Sequence, residues 1–214
     1  MPVWQQVYEE INDPNFVLIC VAEDTGGEAA AGPIFDAAQP TFIQVVDPDH
    51  IVSSAFNFVN VPSSVWINEK GRIVRIDEGT YSKIHSMGEG QEAITFGNDV
   101  YTPALKDWVA KGEKSKFVQS AKEVTGNIRE HTFDQMKADA AFRLANFFRL
   151  HGRKEKAEKY WKMCQELNPD SINFIRQNLT LTKEGSAGET FMQVMGEYVS
   201  QGKDYYRPLD IKEC

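Results

Sequence analysis

Apolar residues recur at helical spacing from the start of the chain: Val3, Val7, Tyr8 and Ile11 share one face of a helix. Pro2 suits its first turn, where a missing N–H costs nothing, and Asn12-Asp13-Pro14 closes it. The period then changes. Phe16 to Ala22 is almost continuously apolar and rich in β-branched residues, the pattern of a strand covered on both faces. Ala29 to Ala38 predicts a short helix interrupted by Gly32 and Pro33, and Phe42 to Val46 a second strand ending at Asp47-Pro48-Asp49. Ile51 to Phe58 predicts a helix packing through Ile51, Val52, Ala55 and Phe56. Ser64 to Ile67 and Arg72 to Ile76 flank Asn68-Glu69-Lys70-Gly71, two β-rich runs around a short polar loop, which predicts a hairpin. Residues 77–98 are polar and without periodicity, and predict a long loop or lid.

From Pro103 onward the pattern is helical. Leu105, Trp108 and Val109 form an apolar stripe that stops at Lys111-Gly112, and a polar, lysine-rich stretch follows. Residues 133–167 predict a helix, a break at His151-Gly152-Arg153 and a second helix ending before Asn168-Pro169-Asp170. Asp170 or Ser171 would cap a further helix to about Leu181, and Phe191 to Val199 predicts one more after the Gly185–Gly188 loop. The order gives an α/β domain with a mixed sheet over 1–98, including the 77–98 loop. A closing helix and connector follow over 99–132, then a helical extension over 133–214.

Composition narrows the function classes. With 42% hydrophobic and 25% charged residues the 214-residue chain is that of a folded protein. No apolar run reaches the roughly 20 residues of a membrane span, so no membrane partner is expected. As written, the chain has no leader and reads as cytoplasmic; a leader upstream of Met1 would change that reading. The net charge of −8 is unevenly spread. Residues 1–110 hold 5 basic and 16 acidic side chains, and residues 111–214 hold 18 and 15. The first half therefore repels nucleic acid, while the basic residues of the second alternate with acids as on a solvated helix face. Cys20, Cys164 and Cys214 are too scattered for a disulfide framework, and with His50, His85, His131 and His151 they match no zinc spacing. No metal and no cofactor is expected.

Two stretches carry a resemblance. Val45-Val46-Asp47-Pro48-Asp49-His50, followed by Phe58-Val59-Asn60-Val61-Pro62 and the hairpin Ser63 to Val74, resembles the second half of thioredoxin-like proteins of the redoxin, TlpA and ResA type. The resemblance implies that Val61-Pro62 is a cis-proline loop whose backbone binds a protein partner. An X–Pro bond permits this because its cis form lies only about 0.5–1 kcal/mol above trans. The second stretch, 138–171, resembles a tetratricopeptide repeat. Leu144, Ala145, Phe148, Gly152, Ala157, Trp161, Cys164 and Pro169 fall where that repeat wants its large, small and aromatic residues and its proline. No second copy reads in frame, which favours one hairpin capped by 171–182 over a peptide-binding array. The whole chain resembles bacterial thioredoxin-like proteins with such a helical extension.

One part of that resemblance is missing. Thioredoxin-type exchange needs Cys-x-x-Cys at a helix N-terminus, where the helix end lowers the attacking thiol's pKa, and this chain has none. Met1-Pro2-Val3-Trp4 resembles the interior of the family's catalytic helix, so the strand and cysteine pair before it would lie upstream of Met1. Three arrangements answer to this: a later start than the natural one, a sheet closed directly between 16–22 and 63–68, or a strand donated by another molecule. The site expected in this chain is Val61 and Pro62, with no catalytic residue. Cys20 and Cys164 are expected to be inert in the core, and Glu23 and Asp24 to be a solvated strand end. The reading is a non-catalytic thioredoxin-like module acting by protein or peptide contact, with a homo-oligomer through an exposed sheet edge as a further partner. The alternative is an oxidoreductase whose cysteine pair lies upstream.

Overall fold

A computed structural model describes residues 2–87, 94–180, 188–202 and 206–211. Its first half alternates helix and strand: α1 (Pro2–Ile11), β1 (Ile19–Ala22), α2 (Glu28–Ala38), β2 (Ile43–Val46), α3 (Ile51–Phe56), β3 (Ser63–Ile67) and β4 (Ile73–Glu78). Next come β5 (Ile84–Met87), β6 (Ile94–Gly97) and α4 (Tyr101–Lys111). Helices α5 (Ala121–Asn127), α6 (Phe133–Leu150), α7 (Lys154–Leu167), α8 (Ile172–Thr180) and α9 (Glu189–Ser200) follow. The protein is thus of mixed α/β class, rich in helix.

The strands form three separate two-stranded sheets among the described residues. β1 and β2 run parallel, Ile19 beside Ile43 and Ala22 beside Val46. β3 and β4 are the antiparallel hairpin read from the sequence, Val65 opposite Ile76 and Trp66 opposite Arg75. β1 and β3 do not pair with each other. Helix α1 reaches toward both: Tyr8 packs its ring on Phe16 and Phe42, just before β1 and β2, while Val7 joins Trp66 of β3 in one apolar cluster and Trp4 meets Tyr101 of α4 edge-on at 6.2 Å.

Four expectations are corrected. Residues 77–98 are not a loop throughout: β4 runs to Glu78, and β5 pairs antiparallel with β6, Ile84 opposite Gly97. The β-branched Ile84, Ile94 and Thr95 supply the strand propensity that the polar surroundings hid. Ala29 to Ala38 is not interrupted, since α2 runs from Glu28 to Ala38 through Pro33. Helix α3 buries Ser53 while Ile51 is exposed, because its first turn is held by the Asp47 and Glu23 carboxylates, which accept from Val52 and Ser53 N–H. Finally, the 16–22 run is not covered on both faces. The strand begins at Ile19, and Val17 and Ile19 are exposed, with Ile43 and Val45 of β2.

The main apolar cluster joins Val7 of α1, Trp66 and Val74 of the hairpin, Tyr101, Ala104 and Leu105 of α4, and Phe117. Trp66 stacks on Trp108 at 4.9 Å and donates its indole N–H to the Tyr101 hydroxyl at 2.6 Å. Leu209 and Ile211 pack on the same cluster, so it crosses the boundaries expected at 98 and 132. The buried Arg75 ties these pieces together. It pairs with Asp77 at 2.5 Å and donates to the carbonyls of Phe117 at 2.8 Å and Asp210 at 3.1 Å. Burial pushes the Asp77 carboxyl above its ordinary pKa, opposed by that guanidinium.

A second cluster lies in the helical hairpin α6–α7: Ala138, Ala141, Phe142 and Cys164, with Phe174 of α8. Ala145 and Cys164 are buried as small residues, and Leu144, at the repeat's large-residue position, is exposed. Thr132 with Gln135 and Ser120 with Glu123 form capping boxes that start α6 and α5. The helices are clipped to the end of β1: Thr25 donates its N–H and hydroxyl to Gln177 Oε1, both at 3.0 Å, and its carbonyl accepts from Arg149.

Candidate functional site

Val61 and Pro62 stand where α3 gives way to β3. Asn57 ends α3 in the left-handed region, φ 55°, and turns the chain toward the hairpin. The Val61–Pro62 peptide is cis, as the sequence leads one to expect. The Pro62 carbonyl accepts from Thr80 N–H at 3.1 Å, and Ser63 Oγ donates to the Asn60 carbonyl at 2.7 Å, which fixes the loop on both sides. Val61 itself is 42% exposed. The two residues form a ridge at the head of β3, whose only strand partner among the described residues is β4.

The ridge has company that the sequence does not announce. Tyr206 donates its hydroxyl to the Val61 carbonyl at 2.6 Å and accepts from Asn60 Nδ2 at 3.3 Å. Asn60 is buried, and its other amide atom accepts from Arg176 of α8 at 3.2 Å. The Tyr206 ring lies over Gly79, φ +66°, where a Cβ would come within 3.2 Å of it. Glu78 is clamped by Arg129 through two contacts of 2.7 Å and accepts from Arg207 N–H at 3.1 Å. Tyr206, Asn60, Gly79, Glu78 and Arg129 therefore join Val61 and Pro62 in one place. Tyr206 lies 145 residues beyond Val61, and no spacing rule links the two.

A second constellation sits at the carboxyl ends of β1 and β2, the edge where parallel strands offer ligand sites. Here Glu23 and Asp24 are not a solvated strand end. The Glu23 side chain is buried, accepts from Ser53 N–H at 2.6 Å and lies 3.7 Å from His50 Nδ1. Asp24 accepts from Gly26 N–H at 2.7 Å, and Asp47 from Val52 N–H at 2.8 Å. These carboxylates hold the turn and the start of α3. His50 is buried edge-on to Phe142 at 5.0 Å and meets Asn173 at 3.3 Å. It borders a cavity of about 320 Å³, lined also by Ser53, Arg129, His131, Asp139 and Phe142. Burial raises the Asp139 carboxyl above its ordinary pKa, against the pull of His131 and Arg143.

Both described thiols are shielded, and burial raises the pKa of each. Cys20 lies half-buried on β1, and burial raises its pKa. Cys164 is fully buried in α7, its thiol pushed up to about 12 by burial, so it stays protonated at neutral pH. Cys214 lies outside the described residues. Among the described residues no group of three or more His, Cys, Asp or Glu could hold a metal ion, and no helix is long and apolar enough to cross a membrane. No family model, curated protein or solved structure matches the chain.

Proposed function

We propose that this chain is a thioredoxin-like module, with a tetratricopeptide-like hairpin, that works by contact with an extended protein segment and performs no thiol chemistry of its own. The observation that carries the reading is the ridge. An exposed valine and a proline lead into a strand paired on one side among the described residues, with the Val61 carbonyl already engaged by a side-chain hydroxyl. A carbonyl and a strand edge that accept hydrogen bonds are what an extended segment needs in order to add to a sheet. The motif around Val61-Pro62 supplies the thioredoxin-like part of the reading, and the α6–α7 hairpin the other. The cytoplasm is the proposed setting.

Reduced, carboxymethylated α-lactalbumin is a suitable probe because it presents extended segments without thiols. The chain should bind it saturably in fluorescence anisotropy, and Val61→Asp should weaken that binding at least tenfold. Binding unchanged by Val61→Asp, or no binding at all, would remove the reading. In an insulin-reduction assay the chain should add nothing to the rate with dithiothreitol alone.

A second reading is supported by the edges of β1 and β3 that do not meet. A strand carrying a cysteine pair, set beside β3, would make the assembly a thiol–disulfide oxidoreductase. Its test is insulin reduction by the chain together with a synthetic strand-and-Cys-x-x-Cys segment. A rate equal to that of the segment alone would eliminate it.

A further inference from the structure

We propose that Tyr206 and Arg207 are a built-in, exchangeable occupant of the Val61 ridge, and that the partner segment it stands in for presents a tyrosine followed by a cationic residue. The inference rests on the protein-contact reading and adds the chemistry of the partner and the control of access.

The resident segment has two parts held by different forces. Leu209 and Ile211, partly buried, pack against the main apolar cluster, and the Asp210 carbonyl is bonded by Arg75. Burial of apolar surface holds this anchor in place. The head, Tyr206-Arg207, lies at the ridge and is held by hydrogen bonds and by a ring contact with Tyr81. Water or another chain can supply those bonds equally well, so the head can leave while the anchor stays.

The head also fits a shaped place. The phenol oxygen is met by an acceptor, the Val61 carbonyl, and by a donor, Asn60 Nδ2, whose amide is oriented by Arg176. That pair asks for a group that donates and accepts at once, which a hydroxyl does and a phenylalanine cannot. The floor under the ring is Gly79, where a Cβ would crowd it at 3.2 Å, and Tyr81 meets the ring edge-on at 6.4 Å. One residue further, the Glu78 carboxylate takes the Arg207 N–H, and the Gly126 carbonyl accepts from the Arg207 guanidinium at 2.6 Å. The phenol pocket selects tyrosine, and at the next position Glu78 holds the backbone N–H while the Gly126 carbonyl, facing the guanidinium, favours a long cationic side chain. Tethered to the anchor, the head acts at an effective concentration on the order of millimolar, so a partner segment must outcompete it.

The probe is a fluorescein-labelled peptide of sequence Asp-Tyr-Tyr-Arg-Pro, the resident sequence at 204–208. Anisotropy is read on the full chain, on Tyr206→Phe, and on Tyr206→Phe with Arg207→Ala. Each keeps the anchor, and circular dichroism checks that each is folded. The double variant should bind the peptide at least tenfold more tightly than the unchanged chain, with Tyr206→Phe in between. Replacing the peptide's second tyrosine by phenylalanine should cost at least fivefold. Equal binding by all three chains, or indifference to that replacement, overturns the proposal. Carboxymethylated α-lactalbumin separates the two ideas. If it binds the unchanged chain and the double variant alike, and the peptide binds neither, the occupant falls and the protein-contact reading stands. If the peptide binds only the double variant while α-lactalbumin binds neither, the occupant stands and the general protein-contact reading falls.

Discussion

The β3–β4 hairpin and the β1–β2 pair look alike along the chain, yet they end in opposite surroundings. In the hairpin Trp66 is 3% exposed, and every residue from Val74 to Glu78 is buried. In the pair Ile19 is 56% exposed and Ile43 50%. Both have the β-branched content of strands, so propensity does not separate them. Cover does. The hairpin lies beneath α4, α1 and the connector at Phe117, whereas the pair meets α1 through Tyr8 and keeps part of its apolar surface open. A strand's own residues determine how it alternates, and its neighbours determine whether the apolar face is dry.

Trp66→Ala tests the covered side and should have the largest effect. It removes a stacked, hydrogen-bonded indole from a filled core, at a cost of about 3–5 kcal/mol in urea unfolding. A loss below about 1 kcal/mol would mean that the hairpin is packed no better than the pair. Gln177→Ala probes what steadies the open side, because it strips the acceptor from two buried donors of Thr25. The expected loss is about 1–3 kcal/mol by thermal unfolding, with faster amide exchange at residues 23–27. The smallest effect belongs to Ile19→Thr with Ile43→Thr, which should change stability by no more than about 0.5 kcal/mol each. A drop as large as that of Trp66→Ala, with loss of self-association in sedimentation, would mean that a second copy covers this face.

Legibility followed the range of the interaction. The hairpin, α1 and the α6–α7 pair were readable because period, turn and small-residue spacing are local. The Ser120 to Glu123 capping box was equally local and marks α5 within the stretch that reads only as polar and lysine-rich. Strands β5 and β6 lay hidden because four-residue strands in polar company leave little period to detect. The cis Val61–Pro62 peptide was legible from the turn and strand around it. Tyr206 was not, since one hydroxyl meeting one carbonyl leaves no pattern in either segment. Glu23 escaped for the same reason: what distinguishes it from a solvated strand end is the Ser53 amide thirty residues on.

Arg75 has a consequence for the order of assembly. Its guanidinium is satisfied only when the Asp210 carbonyl, 135 residues later, is in place beside Asp77 and Phe117. At synthesis rates of about 5–20 residues per second, roughly 7–27 s separate the two on the ribosome. During that interval the hairpin carries a cation that it cannot yet fully bury, next to apolar residues still waiting for Leu209 and Ile211. The first half is therefore written early and finished late. Its maturation is timed by the arrival of residues 209–211.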